Sequence, residues 1–326
     1  MTCLLEIDLS AVRANYEYLS CRAGKRIAGV VKADAYGLGA VQEVSELIKA
    51  GCKEFFVANA DEGKALRKQF DHIVLYVLEG ALESTLNTLM EYNLRPVLNN
   101  LAQCNLWSNR SVPCAIHIDS GMERLGLNES EMNQLLSSPK LLNIQLLISH
   151  LARADEPDHN FNKLQVQRFD LIKQRVVHRY PEVETSLTNS AGVANRDYKD
   201  DLGRPGIALY GGNPFSDRSS PVKPVVRLTA QVLQVRKVGK ETPIGYGGSF
   251  VTNRDCDLAI IGAGYADGIS RALSNKGRVF VLDNYCPIVG RISMDMLHVD
   301  VSGVEVKESD WVELIGPNMS LDEIAL

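Results

Sequence analysis

The chain has 326 residues, of which 45% are hydrophobic and 23% are charged, enough to bury one large core and a smaller one. Its net charge is -5 and its lysines and arginines are dispersed, which argues against a nucleic-acid or anionic-membrane partner. No apolar run approaches the ~20 residues that a membrane-spanning helix needs.

The amino-terminal segment does not resemble a secretory signal. Glu6 and Asp8 stand where such a signal has a basic region and then an apolar stretch, so we expect a cytoplasmic protein. Residues 4–8 have the composition of a strand, and Ser10 is expected to cap the first helix. We therefore expect residues 1–8 to add a strand to a second domain.

From residue 26 to about residue 210, apolar runs alternate with amphipathic segments, which is typical of repeated strand–helix units around a parallel sheet. The runs predict eight strands, at 27–31, 55–59, 73–78, Arg95–Leu98, 115–119, 146–150, 185–188 and a short one ending near Arg204. Apolar residues at helical spacing, such as Val41, Val44 and Leu47, predict the covering helices. Because such units close into a (β/α)8 TIM-like barrel, we assign residues 9–212 to one and expect reactive groups at the carboxyl ends of its strands.

Lys32 ends the first apolar strand, and a glycine-rich turn follows at once. A lysine in that place loses part of its hydration, which suits an amine that condenses with a carbonyl. The run equally fits a lysine whose stem lies along the strand edge while its ammonium reaches water. By itself, the run favours neither interpretation.

Arg124, His150, Ser190 and Arg204 also fall at or just past predicted strand ends. Arg124 follows a glycine turn and is of the type that clamps a carboxylate with two hydrogen bonds, although a surface ion pair is the plainer alternative. The segments after strands seven and eight offer a hydroxyl and backbone amides that suit a phosphate, or else an ordinary helix cap.

A turn-rich segment at 211–221 ends the repeating pattern, and no helical periodicity appears beyond it. Alternating apolar residues predict half-buried antiparallel strands, first at Val226, Leu228, Ala230 and Val232 and again at Met294, Met296 and the residues after them. We therefore assign residues 222–326 to a mostly antiparallel β domain.

The cysteines and histidines do not form a metal-binding pattern. Seven cysteines, an odd number, are widely spaced without a C-x-x-C pair, which predicts reduced thiols and no zinc site. Asp295 and His298 fit two positions of one strand better than half of a metal site. We expect no required metal.

Eight sequence blocks, in order along nearly the whole chain, resemble the signatures of the alanine racemase family. They are VVKADAYGLG at 30–39, GMERLG at 121–126, SHLARADEPDH at 149–159, NSAG at 189–192, RPGIALYG at 204–211, IGYGGSF at 244–250, GYADG at 264–268 and PIVGRISMD at 287–295. The resemblance implies a barrel that binds pyridoxal 5'-phosphate, followed by a β domain. It also implies an isomerase that interconverts L-alanine and D-alanine and supplies D-alanine for cell-wall peptidoglycan.

The resemblance further implies two proton-transferring groups, on opposite faces of the substrate. Lys32 would hold pyridoxal phosphate covalently and act on one face, and Tyr246 would act on the other. A tyrosine serves as a base at neutral pH only where positive charge stabilises its phenolate. By the family pattern, Tyr246 reaches the barrel of a second subunit, so a head-to-tail homodimer completes each site.

The remaining roles implied by the resemblance concern the cofactor and the substrate. Arg204 would face the pyridine nitrogen and His150 would pack against the ring. The phosphate would be held by Tyr36, Ser190, Gly206 and Ile207. The substrate carboxylate would meet Arg124 and the backbone near Met294, and the entrance would be lined by Tyr265 and Asp295.

One position departs from the family pattern, because His117 stands where some members carry a lysine modified by carbon dioxide that supports the neighbouring arginine. Family members usually continue beyond the position of Leu326, and a chain that ended there is expected to hold the cofactor less tightly. Three alternatives remain open: a broader racemase that accepts serine, a fold-related pyridoxal-phosphate decarboxylase, and a non-catalytic binder of the cofactor.

Overall fold

The computed structural model describes residues 2–139, 142–195, 198 and 200–325. The chain divides into two compact units, which we call the barrel unit, Leu9–Lys223, and the β unit, Met1–Asp8 with Pro224–Leu326.

Strands and helices alternate through the barrel unit. Its strands are β2 Arg26–Ile27, β3 Gly29–Val30, β4 Glu54–Val57, β5 Val74–Val77, β6 Arg95–Leu98, β7 Cys114–His117, β8 Ile144–Ile148, β9 Glu184–Ser186 and β10 Leu202–Gly203. Its helices are α1 Leu9–Ala23, α2 Lys32–Gly37, α3 Ala40–Lys49, α4 Ala60–Arg67, α5 Leu86–Glu91, α6 Leu101–Trp107, α7 Glu129–Ser137, α8 Asn160–Arg179 and α9 Ser190–Asn195, with 3-10 turns at Glu83–Thr85 and Ile207–Tyr210.

The predicted parallel sheet is confirmed, and the strand pairing between β10 and β2 that closes the barrel is short. Strands β3 to β9 form one seven-stranded parallel sheet in chain order, and β10 pairs in parallel with β2 over two residues. The predicted strand at 27–31 is therefore divided at Ala28 between two partners. On the other side, the Arg204 N–H donates to the Thr188 carbonyl at 3.0 Å, which ties the eighth strand to β9.

The barrel interior determines which residues reach its mouth. Its inward side chains form one buried cluster, comprising Ala28, Val30, Phe56, Tyr76, Val97, Ala115, Leu146, Ile148 and Leu202. Because side chains alternate along a strand, residues two positions later share the inward face at the carboxyl end. Those positions hold Lys32, Leu78, Asn99, His117, His150 and Arg204.

Helix boundaries follow local capping, with one correction. The side chains of Asn59, Asn100 and Asn128 accept backbone N–H groups in the first turns of α4, α6 and α7. Ser10 lies inside α1, which begins at Leu9, so its predicted N-cap position is wrong. Because β1 ends at Ile7 and α1 begins at Leu9, the residue that precedes the helix is Asp8 and not Ser10.

The β unit is built on one antiparallel sheet. Its elements are β1 Cys3–Ile7, β11 Val226–Val238, β12 Pro243–Ile244, β13 Phe250–Val251, β14 Cys256–Ile261, β15 Arg278–Val281, β16 Asn284–Val289, β17 Leu297–Asp300, β18 Trp311–Ile315 and α10 Leu321–Ala325, with 3-10 turns at Tyr246–Gly248, Tyr265–Asp267 and Arg271–Leu273. The strand order is β1-β11-β14-β17-β16-β15-β18, and β11 also pairs with β18. The amino-terminal strand pairs with β11 in register, Cys3 opposite Ala230.

Apolar alternation predicted β11, and farther on it predicted a strand that begins too early. Leu228, Ala230 and Val232 are buried in the sheet core, as alternation requires. The residues after Met296 form the antiparallel strand β17, as predicted, whereas Met294 and Met296 themselves lie in an exposed loop between β16 and β17. The chain leaves β16 through Gly290 at a φ of 78°, a turn that breaks the period before Leu297.

Within the described residues, no helix is long and apolar enough to cross a membrane. All seven cysteines carry free thiols. The described residues also contain no group of three histidine, cysteine or acidic side chains placed to hold a metal ion.

Candidate active site

A cavity of about 280 Å³ lies at the carboxyl ends of the barrel strands. Eight of the residues predicted for the site line it: Lys32, Tyr36, Arg124, His150, Ser190, Arg204, Gly206 and Ile207. Its volume is close to the lower end of the range for small-ligand sites. The barrel unit thus brings together residues that are up to 175 positions apart, from Lys32 to Ile207.

Lys32 is half-buried and lies at the start of a left-handed backbone turn. Four consecutive non-glycine residues, Ala33 to Tyr36, have φ between 53° and 60°, a conformation that costs roughly 1–2 kcal/mol per residue. Flanking carboxylates hold this turn. Asp34 accepts the Ala40 N–H at 2.7 Å, and Glu62 accepts the Ala33 N–H at 3.0 Å. Strain of this kind is typical of functional sites, and here it places the lysine and Tyr36 on one rim.

The second group on that rim is a close-packed cradle of backbone amides. The Ser190 hydroxyl accepts the N–H groups of Gly206 at 2.9 Å and Ala208 at 3.3 Å. A Cβ on Gly206 would overlap the Tyr36 hydroxyl, so the contact requires glycine. The Tyr36 ring is tilted against that of Tyr210, with centroids 5.0 Å apart. Hydroxyls and amides therefore converge at one end of the cavity.

Arg204 is buried in the cavity wall with almost all its donors committed. Its Nη1 donates to the Ser186 carbonyl at 2.8 Å and to the Ser186 hydroxyl, and its Nη2 donates to the Ser149 carbonyl at 2.5 Å. Burial lowers the pKa of Arg204 to about 10, so it stays protonated at neutral pH. A guanidinium has five N–H groups. Within the described residues, the Nε–H makes no hydrogen bond and is available to the cavity.

His150 is neutral and has a fixed proton position. Nη2 of Arg204 lies 3.4 Å from Nδ1 of His150, and a guanidinium can only donate, so Nδ1 accepts. Burial, followed by the charges of Arg204 and Arg124, lowers the pKa of His150 to about 3. The single imidazole proton therefore lies on Nε2.

Arg124 is exposed at the cavity rim on a tightly tied loop. The Asp119 carboxylate accepts the N–H groups of Gly121 and Met122 at 2.8 Å and of Glu123 at 2.9 Å. Three bonds to one carboxylate fix the loop that presents the guanidinium.

His117 and Asn99 form a polar pair that motif comparison did not predict in full. Nδ1 of His117 lies 2.7 Å from Oδ1 of Asn99, and His117 also lines the cavity. The sequence singled out His117 only as a departure from a pattern and missed Asn99. The alternation of β6 contains the signal, because Asn99 follows the inward Val97 by two positions.

The other four predicted residues belong to the β unit, and all are exposed. The exposed fraction is 71% for Tyr246, 42% for Tyr265 and 53% for Met294, and Asp295 is also exposed. The Tyr265 N–H donates to the Ser293 carbonyl at 3.0 Å, which joins the loops that carry the last three.

The loop of Tyr246 has a cation beside it. A Cβ on Gly247 would lie 3.5 Å from Nη1 of Arg291, in the segment just before Met294. Tyr246 itself sits between Gly245 and Gly247, which have φ of 68° and 69° and bend the loop outward.

Two family profiles cover almost the whole chain. One, described as "Alanine racemase, N-terminal domain", matches residues 7–214, and the other, "Alanine racemase, C-terminal domain", matches residues 225–326. Proteins named alanine racemase are similar to this chain in sequence. The protein of Rickettsia canadensis is 40% identical over 99% of this chain and 92% of its own length, and that of Acidiphilium cryptum is 39% identical over 98% and 92%.

Solved structures agree with the sequence matches. The alanine racemase of Bartonella henselae, described as having covalently bound pyridoxal phosphate, superposes with a TM-score of 0.94 at 36% identity, over 100% of this chain and 93% of its own. The biosynthetic alanine racemase of Pseudomonas aeruginosa superposes with a TM-score of 0.89 at 32% identity, over 99% and 93%.

Proposed function

This chain belongs to the alanine racemase family, and on that premise we propose that it is an isomerase that interconverts L-alanine and D-alanine with pyridoxal 5'-phosphate held at Lys32. One observation carries the proposal: Lys32 lines the same cavity as Arg204, whose Nε–H is the one guanidinium donor without a hydrogen bond to the described residues. A reactive amine and a fixed cationic donor in one small cavity match the two ends of a pyridoxal ring.

The residues of the cavity fit this cofactor. The Lys32 amine is available to its aldehyde, the Arg204 Nε–H to its ring nitrogen, and the Ser190 hydroxyl proton to its phosphate, with Tyr36, Gly206 and Ile207 lining that end of the cavity. When bound, pyridoxal phosphate withdraws electrons from the attached amino acid and so weakens its Cα–H bond.

Arg204 moderates that withdrawal. A guanidinium donates a hydrogen bond and does not give up its proton at neutral pH, so it opposes protonation of the ring nitrogen. Its other donors are tied to Ser186 and Ser149, which fixes its position. Weaker electron withdrawal favours prompt return of the proton to Cα, which is what racemisation requires, over side reactions.

Two proton-transferring groups act on opposite faces of Cα. We propose that Lys32 Nζ exchanges the proton on one face and Tyr246 Oη of a second copy exchanges it on the other. One group removes a proton while the other delivers one, so a turnover leaves both with inverted protonation.

We propose that the assembly is a head-to-tail homodimer. The β unit exposes an apolar surface, which we call the tyrosine patch, made of Tyr246, Tyr265, Met294 and Met296. The barrel mouth exposes Tyr36 and Ile207. Exposed apolar groups of this kind mark interaction sites, and here they support docking of one copy's patch on the other's barrel mouth.

The substrate is a small amino acid. In the proposed dimer, Arg124 clamps its carboxylate, joined by the backbone near Met294 of the second copy, and Tyr265 and Asp295 of that copy narrow the entrance so that short side chains are favoured. The seven free thiols fit a reducing compartment, which supports the cytoplasm as its location.

The test is direct. The holoenzyme is incubated with L-alanine, and in parallel with L-serine, and the products are followed by chiral chromatography and by carbon dioxide release. Formation of D-alanine that is abolished in Lys32→Ala supports the proposal. Equal turnover of serine would establish a broader racemase, and carbon dioxide release a decarboxylase. A bound, borohydride-reducible chromophore without turnover would leave only a cofactor binder.

A further inference from the structure

The side-chain amide of Asn99 has one possible orientation. Its Nδ2 lies 2.8 Å from the Val97 carbonyl, 3.0 Å from that of Leu78 and 3.3 Å from that of Glu79. Carbonyl oxygens only accept, so the group facing them is the NH2 and the group facing His117 is the oxygen.

Gln103 supports the same orientation from the other side. Its Oε1 accepts the Asn99 backbone N–H at 2.9 Å, and its Nε2 donates to the Glu79 carbonyl at 3.0 Å. A buried network with every member paired holds its geometry firmly. Oδ1 of Asn99 is therefore a fixed, buried acceptor behind His117.

That acceptor determines the tautomer of His117. Oδ1 lies 2.7 Å from Nδ1, so Nδ1 carries the proton. His117 is 8% exposed, and burial with the charges of Arg204 and Arg124 lowers its pKa to about 4, so the ring has only that proton at neutral pH. Nε2 is thus a bare acceptor without a hydrogen-bond partner in the described part of the chain.

His117 is also the base of the loop that carries Arg124. Its backbone carbonyl accepts the Leu127 N–H at 2.8 Å, and the Asp119 N–H donates to the Leu127 carbonyl at 3.0 Å. A Cβ on Gly126 would lie 2.7 Å from the Asp119 nitrogen, at a φ of 115°, so the loop closes only with glycine. The imidazole at the base of this short loop and the guanidinium within it line the same cavity.

We propose that His117 is a positioning residue for Arg124: when substrate is bound, the bare Nε2 accepts a hydrogen bond from the guanidinium and holds it toward the substrate carboxylate. The inference rests on the proposed function, because Arg124 is there the carboxylate clamp. A neutral acceptor orients the guanidinium without cancelling its charge. Arg124 then offers the substrate more attraction than an arginine paired with a carboxylate.

The tautomer is measured on the wild-type holoenzyme. Histidine is labelled with 15N, and the His117 signals are assigned by their loss in His117→Gln. We expect a protonated Nδ1, an unprotonated Nε2 and no titration between about pH 5.5 and 8. A protonated Nε2, or titration within that range, would overturn the inference without any need for activity.

The positioning role is measured with two ligands that differ in one group. Propionate has a carboxylate and ethylamine has none, and each is tested for binding to the holoenzyme. His117→Leu is expected to weaken propionate about tenfold, the effect of one lost hydrogen bond to a charged group, and to leave ethylamine unchanged. His117→Gln, which can donate to Asn99 and offer an oxygen to Arg124, restores most of the propionate affinity.

The control is His72→Gln, an exposed histidine beside Asp71, which should alter neither ligand. Equal weakening of propionate and ethylamine, or none, would show that His117 does not act through Arg124. The proposed function fails separately, by absence of D-alanine from the wild-type protein. If His117→Leu does not fold, the tautomer measurement decides.

Discussion

Nη2 of Arg204 lies 3.4 Å from Nδ1 of His150, so a buried guanidinium donates to an imidazole that remains neutral. The guanidinium of Arg204 also donates hydrogen bonds to the carbonyls of Ser186 and Ser149, and its Nε–H remains available to the cavity. A lysine has one nitrogen and cannot reproduce this set.

We therefore expect Arg204→Lys to lower kcat for alanine racemisation by about 100-fold or more and the free energy of unfolding by roughly 2–4 kcal/mol. Chiral chromatography and urea denaturation measure the two. Arg175→Lys, in an exposed pair with Glu129, should change both little. Wild-type values for Arg204→Lys would refute its role.

The neutral histidines make folding sensitive to acid. An unfolded histidine has a pKa near 6.5, whereas the folded pKa is about 3 for His150 and about 4 for His117. Below pH 6.5 the unfolded chain binds protons that the folded chain does not, so stability is present above pH 6.5 and lost as pH falls toward those values.

For His150→Gln, we expect a shallower fall in the free energy of unfolding between pH 6.5 and 4, by up to about 1.4 kcal/mol per pH unit. Urea denaturation across that range measures it. His72→Gln should keep the wild-type slope, because that side chain is exposed. An unchanged slope in His150→Gln would mean that His150 is charged in the folded protein.

Neutralising either of two neighbouring glutamates of α3 should change the stability of the protein, in opposite directions for the two. Glu43 is fully buried, neither carboxylate oxygen has a hydrogen-bond partner among the described residues, and burial followed by the charge of Glu46 raises the pKa of Glu43 to about 7. Its stability contribution is present below about pH 4.5 and is lost as pH rises through about 7. Hydrogen bonds from Arg13 and Lys49 instead lower the pKa of Glu46.

Glu43→Gln should therefore stabilise the protein at pH 8, by about 1–3 kcal/mol, and much less at pH 4.5. Glu46→Gln is the matched control and should destabilise it at pH 8. Thermal unfolding at both pH values measures the difference. Equal effects of Glu43→Gln at the two pH values would show that Glu43 does not titrate between them.

Adding one methyl group to the cradle, at Gly206, should weaken cofactor binding. In Gly206→Ala, the added Cβ meets the Tyr36 hydroxyl, so we expect pyridoxal phosphate to bind at least tenfold more weakly. Tyr36→Phe in the same chain removes the atom that clashes and should recover part of the loss. Gly239→Ala is the control, because its Cβ has no neighbour closer than 3.9 Å. Absorbance of the bound cofactor reports affinity, and unchanged binding in Gly206→Ala would exclude this cradle.

Motif and strand periodicity were enough to predict the barrel and the residues at its mouth, because period-two alternation brings strand-end residues to one place. They were not enough for α3. Spacing predicted Val41 on its buried face, yet Val41 is 40% exposed while Glu43 and Glu46 are buried. Two glutamates were not expected inside, since the burial of Glu46 depends on Arg13, a partner 33 positions away in the chain.

The left-handed turn after Lys32 was also beyond sequence patterns. The glycines there predicted a turn, but Ala33 to Tyr36 adopt positive φ before the first glycine is reached. A hydrogen bond from the Ala33 N–H to the carboxylate of Glu62, farther along the chain, holds that conformation. Contacts between distant segments therefore decided what local propensity did not.

The central claim is that Lys32 of one subunit and Tyr246 of another act on one alanine. The Lys32→Ala and Tyr246→Phe proteins are prepared separately, and each alone is expected to be inactive. They are then mixed, denatured together, refolded with pyridoxal phosphate and assayed for D-alanine. In a shared-site dimer, each mixed pair has one intact site. The account therefore predicts recovery toward about one quarter of wild-type activity, since half of the dimers are mixed and each has one of two sites. Activity no higher than that of the separate variants would contradict it.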